Sequence, residues 1–260
     1  MASMIEMDNA EWALVEDLFD PPRREGRPAS YPRRQVVEAI LFLARTGCQW
    51  RYLPDSYPPW EAVWQQWRRW RANGVWAHAM ARLARLIRAL KRDHIEPTMV
   101  TIDAQTVRGG RAGPTFHNAG GRGGRTIGTK RSILIEILGL PLAVRVDPAK
   151  PHDVRAGREL LDERLDELPH VEAVIADRGY RGLAKLAARK HLKLDIKAPP
   201  KGTTAFTPLW PLYKVEHAFA RLGRWRRLSR CYEGTEASAR AWLEVASVAY
   251  LFARLRVEPT

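Results

Sequence analysis

The stretch VIADRGYRG, residues 174–182, opens as an apolar run and breaks at Asp177 into Arg178, Gly179 and a turn. Three apolar residues, Val174, Ile175 and Ala176, bounded by turn chemistry predict a buried strand, and a buried strand that ends on a carboxylate puts an acid at the sheet's edge. A second run has the same form. TMVTIDA, residues 98–104, predicts a strand ending near Asp103. In α/β sheets ligands gather at the carboxyl ends of the strands, so two such ends can bring their acids together in space.

Outward from these runs the periodicity divides the chain. Before Pro97 the apolar residues recur at helical spacing, in NAEWALVEDLF, RQVVEAILFLARTG, PPWEAVWQQWRRWRANG and VWAHAMARLARLIRALKRDH. Asn9 is a cap candidate for the first, Gly47 ends the second, and prolines open the third. After Pro97 come TMVTIDA and then SILIEILGLPLAVRVD, two strands around a Gly-Leu-Pro turn. Helix and strand then alternate through VRAGRELLDERLDEL, VEAVIAD, RGLAKLAARKH and LKLDIKAP, and two closing helices follow. Three strands followed by an alternation of helices and strands predict an α/β fold with a mixed sheet flanked by helices. The expected division is a helical region over 1–96 and a sheet domain over 97–260. RGGRAGPTFHNAGGRGGRTIGTKR, residues 108–131, reads as a Gly/Arg-biased loop carrying His117, Lys130 and Arg131.

A third acid, Glu216, lies on the first closing helix. Ala220 and Gly223 follow it at helical spacing and leave an open strip, while Val215, Phe219 and Leu222 form the apolar face. Three carboxylates converging without a cation would repel one another. Divalent ions resolve that conflict, and an oxygen-rich, thiolate-free set suits magnesium or manganese. Two such ions can assist an in-line phosphoryl displacement. Singly, each acid also fits a local role: Asp103 and Asp177 as turn or helix caps, Glu216 as an ion-pair partner of Lys214. Asp153 and Asp195 are rival acids, ranked lower because one heads a helix and the other lies inside a strand pattern.

The chain carries 43 Lys+Arg against 29 Asp+Glu, a formal net charge of +14. That excess suits a polyanion, because each phosphate neutralised releases counterions. Arg221, Arg224 and Arg227 recur at three-residue spacing after Glu216, with Arg226 and Arg230 beside them and Trp225 among them as a base-stacking candidate. The stripe of Trp60, Trp64, Trp67 and Trp70 reads as packing. Arg68, Arg69 and Arg71 around it, with Arg23, Arg24, Arg27, Arg33 and Arg34, are candidate phosphate or groove contacts. The two cysteines, Cys48 and Cys231, have no CxxC spacing and signal neither a disulfide framework nor a zinc site. No early run resembles a signal peptide, which leaves the cytoplasm as the default compartment.

Taken together, TIDAQTV, IADRGYRG, VEHAFARLGRWRRLSRCYE and the long run GRPASYPRRQVVEAILFLARTGCQWRYLPDSYPPWEAVWQQWRRWRANGVW resemble the bacterial insertion-sequence transposases of the IS-five type. The resemblance implies an RNase H-like catalytic domain behind a helical DNA-binding region. It also implies a DDE triad of Asp103, Asp177 and Glu216 that binds two Mg2+ or Mn2+ ions, and metal-dependent cleavage at the element's ends followed by strand transfer. The implied partners are the terminal inverted repeats and target DNA, with a homodimer or higher assembly on DNA. The chain departs from the family pattern at Leu212 and Gly223, where basic residues are usual, and at His217, where arginine is common. A DNA-binding copy without catalysis, and a nuclease of the same fold that cuts without joining, are the alternative expectations.

Overall fold

The structure is a computed structural model, and it describes residues 6–22, 29–91, 95–110, 128–150, 152–199 and 209–257. Five helices come first: α1 (Asn9–Ala13), α2 (Glu16–Phe19), α3 (Arg33–Thr46), α4 (Trp60–Ala72) and α5 (Val75–Lys91). The first expected helix is two short ones, capped by Asp8 and not by Asn9. Asp8 accepts from the Glu11 N–H while the Glu11 carboxylate accepts from the Asp8 N–H, a reciprocal capping box. Gly47 ends α3 in the left-handed region at φ 70°, where an L side chain is strained.

The sheet follows: β1 (Met99–Arg108), β2 (Gly128–Glu136), β3 (Pro141–Pro148), α6 (Asp153–Arg164), β4 (Ala173–Ala176), α7 (Ala184–Arg189), β5 (Lys193–Ile196), α8 (Leu212–Leu222) and α9 (Glu236–Val257). Its order is β3-β2-β1-β4-β5, with β1, β2 and β3 antiparallel and β4 and β5 parallel to β1. The mixed sheet expected from the sequence is present.

Two expected boundaries move. β1 does not end at Asp103 but continues five residues to Arg108, because β2 keeps pairing with it as far as Arg108 opposite Gly128. Its parallel partner β4 stops earlier, with Ile175 opposite Thr101. Asp103 therefore lies where β1 has lost one neighbour and kept the other. Correspondingly, β2 starts at Gly128, so residues 128–131 of the expected Gly/Arg loop are strand.

Alternation along the strands sends side chains to two cores. Ile133, Ile135, Val144 and Val146 join α3, α4, α5, α8 and α9 in one apolar cluster. Val100, Ile102, Leu134 and Val174 join α6 and Tyr180 in the other. The first cluster runs without a break from the N-terminal helices into the sheet, centred on α9, where Trp242 stacks on Trp67 at 5.1 Å. The tryptophan stripe of α4 divides: Trp67 and Trp70 are buried, as packing requires, whereas Trp64 is exposed under the Arg68 guanidinium, 4.7 Å from its ring.

One buried acid on α9 has a measurable consequence. Burial pushes the Glu244 carboxyl up to about 7, against the pull of Arg240 and Arg164. The folded chain thus retains a proton that the unfolded chain releases near pH 4.5, so this stability is complete below that pH and is lost as pH rises through 7. The span corresponds to on the order of 3 kcal/mol. Glu244→Gln should flatten that part of the stability profile, with a gain at pH 8 and none at pH 5, read by urea denaturation at both pH values.

Candidate active site

Cross-strand partners share a face, so Asp103, opposite Ile133, points to the side of the sheet that α8 covers. On α8 the apolar residues Val215, Phe219 and Leu222 are buried and seat the helix, while Glu216, Ala220 and Gly223 are exposed. Asp177 follows β4 directly. Its carboxylate accepts from the Gly179 N–H at 2.8 Å and opens a 3-10 turn over Arg178–Leu183. The capping role is real, and it leaves the second carboxylate oxygen available.

The other two acids act on Asp103. The Asp103 carboxyl is pushed up to about 6, first by burial and then by the charges of Asp177, Asp153 and Glu216, while the Ala104 N–H pulls it down. Asp153, ranked low from the sequence, is therefore a fourth carboxylate of this neighbourhood. What separates it is its partner: Lys130 Nζ lies 2.5 Å from its carboxylate. Asp195, the other rival, is paired with Lys197 at 2.8 Å. Glu216 has no ion pair among the described residues, since Lys214 lies instead over the Tyr213 ring at 5.1 Å. Asp103, Asp177 and Glu216 thus have no ion pair among the described residues, and the charges of the latter two act on Asp103.

Among the described residues no three His, Cys, Asp or Glu side chains are drawn tightly enough to ligate a metal as they stand. The donor set still fits hard divalent ions: only oxygen donors, with a central carboxyl pushed up first by burial and then by the charges of neighbouring carboxylates.

The expected cations separate sharply. α8 ends at Leu222, so Arg224–Arg230 do not continue the Glu216 helix. Trp225 is corrected from a base-stacking candidate to a core residue: it is 2% exposed, with Arg45 over its ring at 5.6 Å. Arg227 also turns inward, to Glu233 at 2.6 Å and the Trp242 ring at 4.8 Å. Lys130 and Arg131, expected on a mobile loop, are buried on opposite faces of β2. Lys130 serves Asp153, and Arg131 donates to the Leu228 carbonyl at 2.6 Å, fastening the basic segment to the sheet. Arg33 and Arg34 are engaged with Asp20 at 3.8 Å and Glu38 at 3.2 Å. Exposed cations remain at Arg221, Arg224, Arg226 and Arg230 beside α8, and at Arg68 and Arg69 on α4. Arg23, Arg24, Arg27 and His117 lie outside the described residues.

A sheet of order 3-2-1-4-5, three strands antiparallel and two parallel, with acids on the central strand, after the fourth strand and on a following helix, defines an RNase H-like domain of the DDE type. The comparisons agree. Residues 7–80 match the family model of a putative transposase of the IS4/5 family, and residues 95–208 match the transposase DDE domain. The insertion element IS402 uncharacterized 16.2 kDa protein of Burkholderia cepacia is 34% identical over 113 residues, 41% of this chain and 76% of the relative. The uncharacterized protein y4sN of Sinorhizobium fredii is 29% identical over 75 residues, 29% of this chain and 60% of the relative. The chain belongs to the IS4/5 family of DDE transposases. Among solved structures, the Mos1 strand transfer complex aligns at TM-score 0.35 and 14% identity, covering 90% of this chain and 79% of that one. The piggyBac synaptic complex with hairpin DNA aligns at 0.39 and 10%, covering 98% and 74%. Those overlaps are distant, and the strand order carries the fold assignment. Among the described residues no helix is long and apolar enough to cross a membrane.

Proposed function

We propose that the chain cleaves DNA at the ends of an insertion sequence and joins the freed 3′ ends to target DNA. Asp103, Asp177 and Glu216 would hold Mg2+ or Mn2+ for this reaction. The observation that carries the reading is the choice among five carboxylates: Lys130 pairs with Asp153 and Lys197 with Asp195, whereas no ion pair among the described residues involves Asp103, Asp177 or Glu216, and the charges of Asp177 and Glu216 act on Asp103. When bound, such ions supply Lewis-acid stabilisation of charge on the transferring phosphoryl group.

The chain's own residues do the rest. Arg221, Arg224, Arg226 and Arg230, exposed beside Glu216, grip the phosphates flanking the scissile bond. Arg131 and the backbone bonds from Cys231 to Arg108 and from Gly110 to Cys231 hold that segment against the end of β1. Arg221 and Arg224 also supply part of the charge that Leu212 and Gly223 leave out. Arg68 and Arg69, exposed on α4, are further cations that would contact DNA. Joining two ends requires at least two copies on DNA.

The test is incubation of the full chain and Mg2+ with a DNA fragment bearing the inverted repeats that flank its gene. Cleavage at the repeat boundary, followed by products joined to a second DNA, is expected. Cutting with no joined product would make the protein a nuclease of this fold, and binding with no cutting would make it a catalytically silent relative.

A further inference from the structure

Trp225 lies in the core, and a different aromatic stands outside in the same basic segment. Along Arg230, Cys231 and Tyr232 burial alternates: Cys231 is buried between two exposed neighbours, and Tyr232 is 51% exposed. Alternation in an extended segment turns Arg230 and Tyr232 to one side. The segment is extended because it pairs with the end of β1. The Cys231 N–H donates to the Arg108 carbonyl at 2.9 Å, and the Gly110 N–H donates to the Cys231 carbonyl at 2.6 Å. Since β2 holds the other edge of β1 as far as Arg108, this pairing takes the edge that β4 leaves after Thr101. The Tyr232 ring has a fixed seat there. A Cβ at Gly110 would fall 2.7 Å from Tyr232 Cδ1 and 3.3 Å from Cε1, so the ring rests on residue 110 only because it is glycine. Gly110 is two residues beyond Arg108, which places the exposed Arg108 side chain on the face of the strand that carries the ring. Neither Arg108 nor Arg230 has an ion pair among the described residues. Glu233, the adjacent carboxylate, is turned inward to Arg227 at 2.6 Å.

We propose that Tyr232 is a stacking platform for an unpaired DNA base, with Arg108 and Arg230 holding the neighbouring phosphates. A half-exposed ring on a rigid seat, two cations on its face and no free carboxylate beside it are the parts of a single-strand site. The base must be unpaired, because the faces of paired bases are covered by their neighbours in the stack. The inference rests on the chain acting on DNA, and it adds that a single-stranded segment is held apart from the scissile bond. Arg108 lies five residues beyond Asp103, about 17 Å along the strand, so the cluster acts on the KM for DNA and not on kcat.

The test uses the full chain in four forms: parent, Tyr232→Phe, Tyr232→Leu and Arg108→Ala. Binding is measured without Mg2+ by fluorescence anisotropy of three labelled probes: a single-stranded oligothymidylate, the same backbone without bases, and a blunt duplex. Melting temperatures accompany each form. Tyr232→Phe keeps the ring and should match the parent on oligothymidylate. Tyr232→Leu keeps apolar bulk over Gly110 without a π-face, and should bind oligothymidylate about tenfold more weakly. On the base-free backbone and on the duplex, all three tyrosine-position forms should bind alike. Arg108→Ala should lower the salt slope on oligothymidylate by about 0.7. Parental binding by Tyr232→Leu overturns the stacking role, as does a loss in Tyr232→Phe equal to that in Tyr232→Leu. An equal loss on the base-free backbone or on the duplex overturns it too. A parent that binds duplex but no single strand removes this inference alone, whereas a parent that binds no DNA removes the proposed function with it.

Discussion

Asp103→Asn is expected to lower end cleavage on the order of 10³-fold, the effect of losing about 4 kcal/mol of transition-state stabilisation. The substitution keeps the shape of the side chain and removes one charge from a site where burial and three other carboxylates already disfavour that charge. The fold should therefore be untouched or slightly steadier, and affinity for end DNA should hold, because the cations proposed to grip DNA are other residues. The matched control is Asp195→Asn, which removes a carboxylate already paired with Lys197. Gel-based cleavage of end DNA together with a binding isotherm reads both quantities. Parental cleavage by Asp103→Asn, or equal losses in the Asp195 variant, would refute the assignment.

The second large effect concerns stability. Arg88 on α5 and Glu136 on β2 form a buried ion pair, 4% and 0% exposed. Arg88 also donates to the carbonyls of Ile95 and Glu96 at 3.0 Å each, fixing the crossover into β1. Glu136 in turn accepts from the Leu138 N–H at 2.7 Å and shapes the β2–β3 hairpin. Removing one partner leaves an uncompensated buried charge, so Arg88→Met should cost about 3–5 kcal/mol. The double variant Arg88→Met/Glu136→Gln should recover a substantial part, since the charge goes while the Gln carbonyl still serves the hairpin. Urea denaturation of the parent, both single variants and the double variant completes the cycle. A loss under about 1 kcal/mol in Arg88→Met, the size of an exposed pair, would contradict the coupling of α5 to the sheet.

How much of this is legible in the residues depends on the range of the interaction that decides it. Gly47 and the apolar run in SILIEI act within a few residues, and the helix end and strand they predict are present, whereas the first helix is capped by the Asp8–Glu11 box and not by Asn9. The lower reach of β2 was hidden. GTKR carries no apolar alternation, and it becomes strand only because β1 offers it a ladder of partners. Trp225 and Arg227 misled for a related reason: the three-residue spacing implied a continuing helix, but α8 stops at Leu222 and the chain turns its tryptophan into the core beneath α3 and α9.

By itself the sequence determined the periodicities, the mixed α/β class, the excess of arginine and the three acids Asp103, Asp177 and Glu216, since each is a property of residue type and near spacing. Only the tertiary structure decided which carboxylates stay charged against one another and which are neutralised. Lys130 reaches Asp153 because β2 runs beside β1 and alternation turns Lys130 towards α6, while Arg131, one residue on, is turned to the opposite face. The charge of a site is set through space by whatever the fold brings near, and separation along the chain does not report it.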